Sequence, residues 1–213
     1  MSPRRSAAEA RATRARIIHR ATEIASEEGL EGVTIGRLAG ELEMSKSGVL
    51  GHFGTKEALQ ASTLDDAFAN FWRRVVEAAE QHRPGMPRLH ALCENSVTFL
   101  ATLELPGGCL LTAASSEFDG RPGLVRDAVA QRWSWWRGRL RDELAAAADH
   151  GELPAHVDVD QAVFEIIAVG LALNQALQLD HDPRAVDRAH RAIHRILEAA
   201  PEQARAPQTA RDE

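Results

Sequence analysis

The chain of 213 residues contains no tyrosine, two cysteines and two lysines, and no uninterrupted apolar stretch long enough to span a bilayer. Each shortage excludes something. Cys93 and Cys109 stand in no CxxC or comparable spacing, which argues against a zinc module and against a disulfide-stapled scaffold. The N-terminus carries arginines with no apolar core behind them, so it does not read as a secretory signal. These features set the expectation of a cytoplasmic protein. Beta-branched alternation is missing as well, so strands are not expected. No nucleophile–base pair, phosphate loop or metal-ligand set is found, so no catalytic residue, metal or cofactor is assigned and the chain is not expected to be an enzyme.

What is present is apolar and helix-forming: 44% of residues are hydrophobic, enough for a substantial core. The net charge of −6 argues at first against nucleic acid, but its distribution is uneven. Residues 1–20 hold six arginines against Glu9 alone, a local charge of +5, whereas residues 61–213 stand at −7. Of the 25 basic residues only Lys46 and Lys56 are lysines. A basic front end on an acidic body suits a protein that touches a polyanion at one end.

The punctuation predicts an all-α chain. Ser6 with Glu9 forms a capping box before a helix over 7–28, whose buried stripe is Ile17, Ala21, Ile24 and Ala25 and which Gly29 ends. Thr34 caps a helix over 35–42, Glu43–Met44 makes a tight turn, and Ser45 precedes a short helix to about Gly51. Thr55 opens a long helix over 56–82. Further helices are expected over 88–103, 109–117, 124–149 and 158–179, the last of these capped by Asp158. A final one opens at Asp182-Pro183 and runs to about Ala199. The polar stretch that follows is expected to be disordered.

The informative stretch is Thr34 to Phe53. Ala39 is small where two short helices must cross. Leu38, Leu42, Met44 and Val49 can fix their angle, so that the second helix is offered to a major groove. The run Ser45-Lys46-Ser47-Gly48-Val49-Leu50-Gly51-His52-Phe53-Gly54-Thr55-Lys56-Glu57-Ala58-Leu59 resembles the signature of the TetR family of regulators. With the first helix and Gly32-Val33-Thr34 the resemblance covers about residues 11–62. It implies an all-helical homodimer: a basic arm (1–10), a helix-turn-helix domain (11–62), a helical regulatory and dimerisation domain (63–199) and a tail (200–213). The chain departs from the signature at Glu43, where glycine is common, and at Leu50 and His52, where tyrosines are usual.

The DNA-binding residues expected on this basis are Thr34, Arg37, Ser45, Lys46, Ser47, Gly48, Leu50, His52 and Lys56. Thr34 and Ser45 sit at helix N-termini that favour phosphate. Lys46 reads guanine or neutralises phosphate, and Ser47 reaches a base edge. Gly48 lets the backbone come close, Leu50 meets a thymine methyl and His52 donates in place of a phenol. Lys56 is a phosphate anchor by the resemblance. The arginines before residue 17 are expected along the backbone or a minor groove.

In the second half, residues 157–179 are apolar nearly all round, which calls for burial on two sides. The expected dimer interface is Ile166, Gly170, Leu173, Leu177, Ile193 and Leu197, which the family resemblance implies to be an intersubunit four-helix bundle. Phe68, Phe71, Phe99, Cys109, Phe118, Trp133 and Trp136 are expected to line an effector pocket. His190 and His194 share a helical face at a spacing metals use, but no acid or cysteine nearby is expected to complete a set. The function that follows is a sequence-specific regulator, by default a repressor released from a palindromic operator by a small molecule. The expected partners are double-stranded DNA, a second copy and an effector, with no membrane. A DNA-coating protein without sequence preference would carry more positive charge than this chain does, and a helical enzyme lacks its chemistry here.

Overall fold

In a computed structural model the described residues are 3–153 and 157–202, with side chains described for 7–153 and 157–198. Among them are nine α-helices and no strand, so the chain is all-α as its sequence requires. The helices are α1 (Pro3–Glu28), α2 (Ile35–Glu41), α3 (Lys46–Phe53), α4 (Lys56–Phe71), α5 (Met86–Ala101), α6 (Leu110–Phe118), α7 (Leu124–Asp149), α8 (Val159–Gln178) and α9 (Ala185–Glu202). A 3-10 turn, Leu30–Gly32, joins α1 to α2. No helix of the described residues is long and apolar enough to cross a membrane.

Side-chain caps start the helices where the sequence places them. Thr34 accepts from the Arg37 amide, Ser45 from Gly48, Thr55 from Ala58 and Asp158 from Gln161. Other boundaries shift by a residue or two, and four differences are informative. Helix α1 already runs at Pro3, earlier than the start expected after Ser6; proline is tolerated in a first turn, where its missing N–H has no partner to lose. The helix expected over 56–82 is α at first and becomes π-helical over Trp72–Glu77. A π turn displaces the i→i+4 carbonyls, and the Asn95 side-chain amide donates to the oxygen of Val75 at 3.1 Å. Helix α9 opens at Ala185, after a turn in which the Asp182 carboxylate accepts from the Arg184 amide at 3.0 Å. It extends to Glu202, beyond the expected end at Ala199. The contacts expected of Arg4 and Arg5 and the tail over 203–213 lie outside the described residues.

The chain forms two compact units, residues 1–73 with 102–134, and 74–101 with 135–213. In the first, Ile17, Ile18, Ala21, Ile24 and Ala25 of α1 pack with Leu38, Ala39, Val49, Leu59 and Leu64, and the same core takes in Leu110, Ala114 and Phe118 of α6 and Val125 and Val129 of α7. In the second, α5, α8 and α9 pack on one another. Its buried residues include Leu89, Leu92, Leu140, Leu144, Val163, Ile166, Leu173, Ala189, Ile193 and Leu197. A buried ionic knot holds its other end. Glu143 accepts from the Gly85 amide at 3.0 Å and faces Arg139 at 3.0 Å and Arg88 at 3.5 Å.

The α2–α3 turn is closed by hydrogen bonds from Met44 to the Ala39 carbonyl (2.8 Å) and from Glu43 to that of Gly40 (3.4 Å). This is the Schellman arrangement, and it places Glu43 at φ 55, in the left-handed region. Nothing in the side chain of Glu43 repays that strain, so Glu43→Gly will stabilise the chain by up to about 1 kcal/mol, read as a raised urea midpoint at unchanged m-value.

Candidate nucleic-acid interface

Helix α3 is short because Ser45 starts it and Gly54, at φ 78, stops it with its amide on the Leu50 carbonyl at 2.7 Å. Val49 is its one fully buried residue and pins it to the core. Ser45, Lys46, Ser47, Leu50 and Gly51 are exposed together. The Ser45 hydroxyl accepts from the Gly48 amide and lies 3.0 Å from that of Ser47. Gly48 is tight against it: a Cβ there would come 3.1 Å from the Ser45 oxygen. Lys46 has no ion pair among the described residues, and its stem lies over Gly36 of α2, 3.5 Å from where a Cβ would be. Thr34 is exposed at the start of α2, and His52 is half-buried with its ring 6.2 Å from that of Phe53.

Two of the expected cations are already engaged. Arg37 donates to Glu41 at 2.8 Å and to Glu28 at 2.5 Å, and Arg20 on α1 pairs with the same Glu41 and with Glu23. Hydrogen bonds from Arg20 and Arg37 hold the Glu41 carboxyl below the usual carboxylate range, and Arg37 does the same for Glu28. Arg37 is therefore a strut between α1 and α2, although it is on the DNA side of the sequence motif. Lys56, the first residue of α4, donates to Glu31 at 3.0 Å. Of the α1 arginines, Arg14 donates to the Ser62 hydroxyl at 3.0 Å with its guanidinium 4.9 Å over the Phe53 ring. It also lines, with Arg11, Asp65 and Asp66, a groove of about 430 Å³.

Sequence reasoning missed two residues that hold the base of this site. Glu117 of α6 accepts from the amides of Leu30 (2.9 Å) and Glu31 (2.8 Å), fixing the 3-10 turn before α2. Ser26 near the end of α1 accepts from the Gly107 amide at 2.9 Å. Neither contact has a local signal, since the partners are 87 and 81 residues apart.

The residues expected in an effector pocket divide between the units. Phe68, Phe71, Cys109, Phe118 and Trp133 belong to the first, where the rings of Phe68 and Phe71 stack at 6.0 Å and Phe118 is buried. Phe99 and Trp136 belong to the second and are buried, Phe99 beneath the Arg74 guanidinium at 5.1 Å. Cys93 is fully buried, which pushes its thiol up to about 12 and leaves it a poor nucleophile at neutral pH. His190 meets Glu94 of α5 at 2.9 Å, and His194 faces His90 with ring centroids 6.1 Å apart. An acid thus does approach the pair, but among the described residues no group of three is placed to hold a metal.

Of the expected interface residues, Ile166, Leu173, Ile193 and Leu197 are buried inside the chain itself, and Gly170 and Leu177 are half-buried. The apolar face that α8 leaves uncovered is a different one. It follows the i, i+4, i+7, i+8 rule through Phe164, Ala168, Leu171 and Ala172, and ends at Leu179, with Phe164 69% and Leu179 71% exposed.

A serine-capped helix presented from a fixed two-helix turn, in a chain whose remaining elements are all helical, defines a helix-turn-helix regulator of transcription. Residues 17–62 match the family described as bacterial regulatory proteins, tetR family, and residues 85–193 match the tetracyclin repressor-like C-terminal domain. The chain belongs to the TetR family of DNA-binding transcriptional regulators. Its fold is similar to a TetR transcriptional regulator from Chloroflexus aurantiacus (TM-score 0.78, 20% identity, 90% of this chain and 95% of that one). A TetR-family regulator from Streptomyces coelicolor is also similar (TM-score 0.74, 23% identity, 91% and 96%). So is AibR, solved with isovaleryl coenzyme A and operator DNA (TM-score 0.69, 18% identity, 84% and 95%). No curated protein matches the sequence.

Proposed function

We propose that the protein is a repressor that binds a palindromic operator as a homodimer and is released by a small-molecule effector. The observation that carries this reading is α3. Its exposed residues Ser45, Lys46, Ser47 and Leu50 form one polar and methyl-reading surface, while the residues behind them are buried or ion-paired. The contact set is then Thr34, Ser45, Lys46, Ser47, Gly48, Leu50, His52 and Lys56. Arg37 acts by positioning, because its guanidinium is occupied on both sides. The domains proposed are the helix-turn-helix over 11–62 and the regulatory part over 63–199.

Genomic DNA selection with the purified protein at moderate salt tests the reading. Recovery of a short two-fold symmetric site is expected. Lys46→Ala will weaken binding to it by about ten-fold or more and relax one base position if Lys46 reads guanine; a uniform loss on all sequences assigns it to phosphate. Recovery of no enriched sequence would overturn sequence-specific regulation.

A second copy is proposed to cover the outward stripe of α8 formed by Phe164, Ala168, Leu171 and Ala172. Two such stripes packed together give the four-helix arrangement with α9. Phe164→Asp will place a charge in that face and convert the dimer to a monomer in sedimentation velocity; an unchanged dimer assigns the interface elsewhere. For the effector, an acyl-coenzyme A is the class to try first, since AibR was solved with isovaleryl coenzyme A. The expected readout is loss of the protein–operator complex on addition.

A further inference from the structure

The 3-10 turn Leu30–Gly32 is held by side chains of two helices, α6 and α4. Glu117 of α6 takes both of its first amides. Gln60 of α4 donates to the Leu30 carbonyl at 2.6 Å. Gly29 allows the approach of Glu117, for a Cβ at that position would lie 2.8 Å from its carboxylate and the backbone there has φ +78.

The residue this grip immobilises is Glu31. One carboxylate oxygen of Glu31 faces the Lys56 ammonium at 3.0 Å, and Lys56 also reaches the Glu31 carbonyl at 3.4 Å. The other oxygen faces the Arg121 guanidinium at 3.9 Å, itself placed 5.6 Å over the Phe118 ring at the end of α6. Glu31 thus stands between two cations. Lys56, at the N-terminus of α4, is the cation the family signature gives to a DNA phosphate; Arg121 follows α6. An ammonium paired to a carboxylate has part of its charge offset, so part of its attraction to a DNA phosphate is cancelled in advance.

We propose that Glu31 competes with DNA phosphate for Lys56, and that α6 sets the strength of that competition through Glu117, which positions Glu31, and Arg121, which receives it when Lys56 turns to phosphate. This rests on the reading of the protein as an operator-binding regulator. It makes the turn before α2 a counter-charge whose position follows α6, so that a displacement of α6 alters the grip on DNA without any movement of the recognition helix itself. Glu31 is a positioning residue here, acting only through Lys56.

The test is a set of affinities for a fluorescein-labelled duplex of the selected site, measured by anisotropy at one fixed salt. Glu31→Gln is expected to tighten binding about three-fold, the scale of an exposed ion pair. In a Lys56→Gln background the same change is expected to alter affinity by less than about 1.5-fold, because the competition has lost its object. In a Glu117→Ala background the tightening is expected to fall away, while Glu117→Gln, which keeps an oxygen for the amides, retains it. Far-UV circular dichroism checks that each variant is folded, and if Glu117→Ala is not, the Lys56→Gln comparison decides alone. Equal tightening with and without Lys56 would overturn the proposal in favour of general charge repulsion. Unchanged or weaker binding by Glu31→Gln would overturn it outright. Failure of the unaltered protein to bind the duplex would instead overturn the regulator reading on which it rests.

Discussion

Replacing Gly107 with alanine will unhook the start of α6 from the end of α1. A Cβ at residue 107 would lie 1.6 Å from the Ser26 carbonyl oxygen and 2.7 Å from its carbon, both backbone atoms that cannot turn aside. The loop has little room to retreat, because the Gly107 amide is bonded to the Ser26 hydroxyl and Gly108 beside it is buried at φ +72. Displacing the loop costs about 3 kcal/mol, at the upper end of overpacking penalties, and for a chain of this size lowers the melting temperature by roughly 10 °C. Ser26→Ala separates steric from polar effects: it removes one hydrogen bond and should cost about 1 kcal/mol. Hydrogen exchange at Leu30 and Glu31 will quicken in Gly107→Ala, since the carboxylate that holds those amides is carried by α6. A melt unchanged from the parent would show that the loop rests on α1 less closely than these distances state.

Glu143→Ala will cost a comparable amount in the second unit. The side chain is 4% exposed and answers one buried amide and two arginines, Arg88 and Arg139, whose side chains are 15% and 19% exposed. Its removal strands the Gly85 N–H and leaves Glu80 as the remaining acid for both guanidiniums, at 3.4 Å from Arg88 and 2.6 Å from Arg139. Breaking a buried pair costs about 3–5 kcal/mol when nothing replaces the partner; with Glu80 present the expected loss is about 3 kcal/mol. Glu143→Gln keeps an acceptor for Gly85 and should lose less. Urea unfolding of the two variants checks both values, and equal losses would show that charge, with no share for the amide bond, sets the cost.

The local chemistry of the helix-turn-helix was legible in the sequence because its signals are local. Thr34, Ser45, Thr55 and Asp158 are caps whose partners lie three residues on, and Val49 and Ala39 mark the crossing by size alone. Glu43 was legible as a left-handed position from the turn it occupies. The charge pairing was not. Arg37 and Lys56 read as free cations, yet Glu28 and Glu31 reach them across a turn whose path depends on Glu117, far along the chain. The π-helical stretch was invisible for a related reason, since Asn95 supplies the donor from another helix. For α8 the difficulty was different. A helix apolar all round gives no phase: the expected interface fell on Ile166 and Leu173, whereas the chain buries these itself and leaves Phe164 and Leu179 outside.

The interleaving of acids among the cations of the helix-turn-helix has a consequence for how such a protein would search a genome. Random DNA attracts a protein almost wholly through phosphate charge, and that attraction grows with each unpaired cation offered to it. Here Arg20, Arg37 and Lys56 each carry their own carboxylate, so on α2, α3 and the start of α4 only Lys46 is unpaired among the described residues. For a regulator that meets DNA with this surface, residence on unrelated sequence would be correspondingly brief, and fewer copies would be sequestered by the vast excess of wrong sites. The ratio that governs occupancy is then improved from below, by a weak background, and a modest affinity for the right site suffices to fill it.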